Sequence, residues 1–214
     1  MVKLNYKKAV GTALSMLFGV FVLIGIFNIL SPKLGFYDSK IMPFFWMALN
    51  LVTVASMAII AFNRNNRFTI IAKIGAFALI ILYISYFINH IVTFTTDNTN
   101  NIFTFLGNNV SVILDTLTYG AIALLLFGLE IWNPIKYIGI LGYIPSLIAS
   151  FTIAKLNDIP TTDNFEQYES LISRLDVLSY ISWGINIITL VLIIVWLVKK
   201  PIVPSAQSKT IDII

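Results

Sequence analysis

Six stretches of this chain, at about 9–30, 42–62, 74–95, 111–131, 137–154 and 178–198, are each apolar enough and long enough to cross a lipid bilayer. Crossing ~30 Å of hydrocarbon at ~1.5 Å per helical residue takes about 20 mostly apolar residues. The first stretch, AVGTALSMLFGVFVLIGIFNIL, and the last, LSYISWGINIITLVLIIVWLV, meet that length without a single charged side chain. The expected fold is an all-α, polytopic six-helix membrane bundle. Six spans and their loops use up nearly all of the 214 residues, so one domain is expected. Charged residues make up 11% of the chain, where a soluble domain carries about a quarter. The Ile-, Asn- and Lys-rich composition points to a bacterial or archaeal cytoplasmic membrane.

The basic residues are distributed by side. Ten of the fourteen flank the spans on one side: Lys3, Lys7, Lys8, Arg64, Arg67, Lys73, Lys136, Lys199, Lys200 and Lys209. The opposite side has only Lys33, Lys40, Lys155 and Arg174, together with most of the acids, among them Asp38, Asp97, Glu169 and Asp176. The positive-inside rule then places both termini in the cytoplasm, which an even number of spans requires. Because the basic residues sit beside spans and do not gather on a soluble face, no nucleic-acid partner is expected. The first apolar run is too long for the core of a cleaved signal and should remain as an anchor. Asn109-Val110-Ser111 matches a glycosylation sequon on the outer side, an arrangement that arises readily by chance in an Asn-rich chain.

Short links make spans 2–3 and 4–5 helical hairpins, with Pro134 in the second turn suited to a helix start. In the longer outer loop at 96–110, Phe103 and Phe105 can dip into the interface. The segment 163–176 is expected to form a separate amphipathic helix on the outer face. Asp163 and Glu166 resemble a capping box there, ahead of Phe165, Tyr168, Ile172 and Leu175 at helical spacing. The tail from Pro201 to Ile214 cannot continue the last helix past two prolines.

Inside a bilayer, helices associate through close backbone approach and interhelical hydrogen bonds. Gly11, Ser15 and Gly19 in span 1, and Gly142, Ser146 and Ser150 in span 5, recur every four residues and are the expected packing faces. Packing within the bundle is the simpler use of both stripes; contact with a partner membrane protein is the alternative. Pro145 should bend span 5.

Ionisable groups within spans are the sharpest functional signal, since burying one costs roughly 2.5–3.5 kcal/mol on insertion scales. His90 in span 3 and Asp115 in span 4 fall at similar depth in the outer half. Tyr83 and Tyr86 share a stripe with His90, while Thr118 and Tyr119 accompany Asp115. Asn28, Asn50 and Asn186 add amides from spans 1, 2 and 6. Convergence of these groups would form an outward-facing polar cavity for a small ligand, with His90, Asp115, Tyr86, Tyr119, Asn186 and Asn50 as its binding residues. The plainer use of His90 and Asp115 is a structural hydrogen bond between helices or direct access to interfacial water. Glu130 and Trp46, Trp132, Trp183 and Trp196 fall near span ends, as interfacial residues do.

Residue types exclude several chemistries. Without Cys and with a single His there is no thiolate nucleophile, no zinc site of the usual types and no His-rich metal or haem cluster. No phosphate loop or Gly-x-Ser-x-Gly elbow occurs. No metal or cofactor is therefore expected, and the leading reading is non-enzymatic: binding or transport of a small molecule. The alternatives are an accessory subunit of a larger membrane complex and, last, an intramembrane enzyme.

The stretch LLLFGLEIWNPIKYIGILGYIPSLIASF, Leu124 to Phe151, resembles the span 4–turn–span 5 portion of a group of uncharacterised bacterial six-span membrane proteins, which implies a six-helix bundle. In size, span number, orientation and the pair Ala9 and Ala13, the chain is also similar to the substrate-binding subunit of energy-coupling-factor vitamin transporters. That resemblance implies that Ala9 and Ala13 face a transmembrane coupling subunit and that a vitamin occupies the outer cavity.

Overall fold

A computed structural model of the chain describes residues 6–34, 42–96, 110–157 and 165–199, which form seven helical segments. These are α1 (Tyr6–Leu34), α2 (Met42–Ala61), α3 (Ile70–Thr96), α4 (Val110–Gly128), α5 (Asn133–Leu141), α6 (Tyr143–Asn157) and α7 (Phe165–Val198). α5 and α6 are two halves of one span. Five helices are long and apolar enough to cross a membrane, and α4, whose apolar part runs Val112–Gly128, is the shorter sixth. The fold is a multi-pass helical bundle, as the apolar runs require.

Three boundaries depart from the sequence reading. Span 5 begins at Asn133, not 137, with Trp132 extended before it and Pro134 in its first turn, so Lys136 lies on the helix. The same span is interrupted at Gly142, because Pro145 has no N–H to give the Leu141 carbonyl. The separate amphipathic helix at 163–176 is not formed. Residues from Phe165 onward belong to one 34-residue helix that continues to Val198. No Pro or Gly interrupts the chain until Gly184, so nothing stops the helix at the polar-to-apolar change. At ~1.5 Å per residue α7 is ~51 Å long, well beyond the hydrocarbon thickness. Asp163, the sequon asparagine, Phe103, Phe105 and the C-terminal tail lie outside the described residues.

The perimeter of the bundle is apolar. Ile81 is 66% exposed, Phe127 55% and Val191 50%, and the other spans present Leu, Ile, Val and Phe in the same way. A surface this continuous in large apolar side chains is suited to lipid, where the helix satisfies its own backbone groups. Each span packs against the next along the chain: α1 on α2, α2 on α3, α3 on α4, α4 on α5 and α6. α7 then packs on α5, α6 and α1, closing a ring. Leu14, Leu17, Phe18, Leu126, Ile135 and Ile193 fill the interior of one half with fully buried side chains.

Both ends of the described chain meet at that packed half. The Lys7 ammonium donates to the Lys199 carbonyl and lies 5.5 Å over the Trp196 ring, while the Lys199 ammonium lies 5.1 Å over Trp132. The Glu130 N–H donates to the Tyr6 hydroxyl at 2.8 Å, and Tyr6 stacks on Phe68 at 4.8 Å. Glu130 is exposed at this end, as a boundary residue should be. Thr69 links α3 to α4: its hydroxyl accepts from the Ala72 N–H and donates to the Gly128 carbonyl at 2.6 Å.

Candidate functional site

Away from the termini the ring is not filled. A cavity of about 780 Å³ lies between α1, α3, α4, α6 and α7. Its inner end, next to the packed core, is aromatic. Phe18 and Phe21 are 5.9 Å apart edge to face, Phe21 meets Tyr143 at 6.1 Å, and Tyr143 meets Tyr119 at 4.8 Å. Tyr83 and Tyr86, 5.7 Å apart and steeply inclined, form the α3 wall.

The polar part of the wall is held by hydrogen bonds between spans. The Ser150 hydroxyl on α6 donates to the Asp115 carboxylate on α4. Ser182 on α7 donates to the Gly142 carbonyl at 3.0 Å, and the Ser146 and Ser182 hydroxyls are 2.8 Å apart. Since the Ser182 proton points to Gly142, Ser146 is the donor of that pair. Trp183 donates its indole N–H to the Val22 carbonyl at 3.2 Å and packs against Gly25, where an added Cβ would come within 2.0 Å of the ring. The Tyr143 hydroxyl and the Asn186 Oδ1, in residues only 7% and 8% exposed, have no hydrogen-bond partner among the described residues. Polar groups buried in this way are ordinarily satisfied by protein, water or ligand.

Of the six sequence-predicted ligand residues, four meet here: Tyr86, Asp115, Tyr119 and Asn186 all line the cavity. Asn28, Tyr83 and Thr118 join them. Two do not. Asn50 is buried on α2, which contributes no described lining residue, and its amide nitrogen is unsatisfied there. His90 is half-buried one turn beyond Tyr86 and is absent from the described lining, and the carboxylate of Asp115 is engaged by Ser150.

Parts of both small-residue stripes are used in packing inside the molecule. Gly11 admits Leu197 of α7, whose side chain an added Cβ would meet at 2.1 Å, and Gly142 admits Ile185 at 3.0 Å. Gly19 has open space beside it, and the Ser15 hydroxyl is buried without a partner. Ser146 and Ser150 do more than pack, since they present hydroxyls to Ser182 and Asp115. Ala9 and Ala13, which one resemblance turns toward a coupling subunit, are fully buried in the core.

Several residues escape the sequence reading. Trp183, expected as an interfacial anchor, is a cavity wall; Gly25, five residues before the end of its span in apolar surroundings, is the signal that a large ring must fit beside it. Asp176 enters the lining because α7 is continuous through the segment that was expected to be a separate helix, and Tyr180 of the last span lines the cavity beside it. Tyr143 sits among ordinary apolar neighbours, and nothing in the sequence marks it.

Fold and site together define a multi-pass helical membrane protein with a polar, aromatic-lined cavity in one half of its bundle. Comparison with protein-family models, with curated proteins and with solved structures gives no match for the chain.

Proposed function

We propose that this protein is a non-enzymatic membrane component that takes a small ligand into the cavity from the side opposite its termini, as a binding or transport protein. The observation that carries the reading is the incompletely satisfied polar lining: a cavity of about 780 Å³, within the range of small-molecule sites, with the Tyr143 hydroxyl and Asn186 Oδ1 buried and unpartnered in its wall. The excess of Lys and Arg on the terminal side favours an outward-facing mouth in a cell membrane. The use of Gly11 and Gly142 in internal contacts favours a ligand role over that of an accessory subunit joined through those stripes.

The chain has no Cys, so a single introduced thiol reports access to the cavity. Asn186→Cys should react with a membrane-impermeant thiol reagent added to intact cells, within about tenfold of the rate at Arg174→Cys on the exposed part of α7. Thr189→Cys, one turn deeper and fully buried, should stay unlabelled. Protection of position 186 equal to that of position 189 would mean that the cavity is closed to water and would remove the basis of this reading.

A further inference from the structure

We infer that the ligand is a small organic cation, an ammonium compound with a hydroxyl or N–H donor on a short tail. The inference rests on the reading of the cavity as a ligand site and concerns what fits it.

Charge is the first constraint. Among the described lining residues, Asp115 and Asp176 are acidic and none is Lys, Arg or His. Asp115 lies within the span region on α4, where a carboxylate is costly unless it meets a counter-charge. The bundle offers it the Ser150 hydroxyl and, among the described residues, no cationic side chain. An anionic ligand would face uncompensated repulsion here, while a cation would supply the missing partner.

The walls determine which kind of cation. A metal ion wants several oxygen ligands at once. Among the described residues no group of three or more His, Cys, Asp or Glu side chains comes together. Asp115 instead shares its cavity with Phe21, Tyr83, Tyr86, Tyr119, Tyr143 and Trp183. Tyr83 and Tyr86 are inclined at 75° and Phe21 and Tyr143 at 80°, while Tyr119 and Tyr143 lie closer to parallel at 34°. Aromatic faces attract an alkylated ammonium group through their quadrupole, most strongly where water is excluded. A carboxylate set among such rings selects an organic cation over a hydrated inorganic one.

The unpartnered groups determine the rest of the ligand. Asn186 Oδ1 is an acceptor awaiting a donor, and the Tyr143 hydroxyl can give or take one. Neither can bond to a fully alkylated, quaternary nitrogen, which has no N–H, so for such a cation both call for a separate polar end on the same molecule.

The test uses a pair of probes of the same shape. Choline and 3,3-dimethylbutan-1-ol differ by a positive nitrogen against a neutral carbon, and both carry the hydroxyl. With the full chain purified in detergent and titrated calorimetrically, choline should bind at least tenfold more tightly than its neutral counterpart. Asp115→Asn should remove most of that preference while leaving the neutral probe within about twofold. Tyr86→Leu, at a half-buried wall position, should weaken choline several-fold and serves if the Asp115 variant does not fold. Equal binding of the two probes, stronger binding of the neutral one, or no saturable binding of either overturns the inference. If position 186 is nonetheless open to aqueous reagent, the cavity reading survives that result; if it is closed, both fail.

Discussion

At the scale of single residues, the closest contacts in the bundle are made where side chains are absent. An added Cβ on Gly75 would lie 2.5 Å from the Leu125 backbone nitrogen and 2.6 Å from the Ala121 carbonyl oxygen. On Gly128 it would lie 2.3 Å from the Ala72 nitrogen. In both cases the obstacle is backbone, which cannot rotate away, so α3 and α4 must separate. Gly75→Ala should therefore lower stability in detergent by about 1–3 kcal/mol, the usual cost of overpacking. Gly120→Ala, on the same helix pair with nothing within 4 Å, should change it by no more than about 0.5 kcal/mol. Thermal unfolding of the two variants side by side is the check, and equal effects would remove the close-approach argument. This contact was not legible in the sequence. Ala72, Gly75 and Ala76 form a small-residue cluster on span 3, but the spans are apolar all round, so no amphipathic face says which small residues point inward. The same lack of a face explains why Asn50 and Asn186, both mid-span amides, could not be told apart until their helices were placed.

At the scale of elements, the broken span shows how a bundle compensates for a proline. Pro145 separates α5 from α6, and the break coincides with the Gly142 carbonyl turning to receive the Ser182 hydroxyl from α7. That bond, with Ser146 donating to the same oxygen of Ser182, ties the bent span to its neighbour. Interhelical hydrogen bonds in membranes average about 0.6 kcal/mol and reach about 1.7. Ser182→Ala breaks both links and should cost about 1–2 kcal/mol by the same measure. Thr116→Ala, whose exposed hydroxyl bonds only to Val112 in its own helix, should be nearly silent in the same unfolding assay. The bend itself was readable from Pro145; the group that answers it was not, because Ser182 lies 40 residues away. The six spans were legible, since each must be largely apolar to enter lipid, whereas the separate outer helix expected at 163–176 was not formed. The start of α7 was misread because a change from polar to apolar residues marks a change of solvent, and a helix passes through that boundary unbroken.

At the scale of the whole molecule, two independent features coincide. The contacts of Lys7 with Lys199 and of Tyr6 with Glu130 bring the first and last helices to the same end, so six spans cross an even number of times. The charge count then assigns that end. Among the described residues it holds Lys7, Lys8, Arg64, Arg67, Lys73, Lys136 and Lys199, and the cavity lies in the other half, beside the segments that carry Lys155 and Arg174. Positive charge is retained on the cytoplasmic side during insertion, so the cavity should face outward. Single thiols in this Cys-free chain test both statements at once. Lys8→Cys and Arg64→Cys should react with an impermeant maleimide only after the cells are permeabilised, while Lys155→Cys and Arg174→Cys should react in intact cells. If Lys8 and Arg64 fell on different sides, the bundle as described would be wrong, because both belong to the packed end. If the whole pattern were inverted, the bundle would stand and the cavity would open to the cytosol. A ligand would then be drawn from metabolism, not from the surroundings.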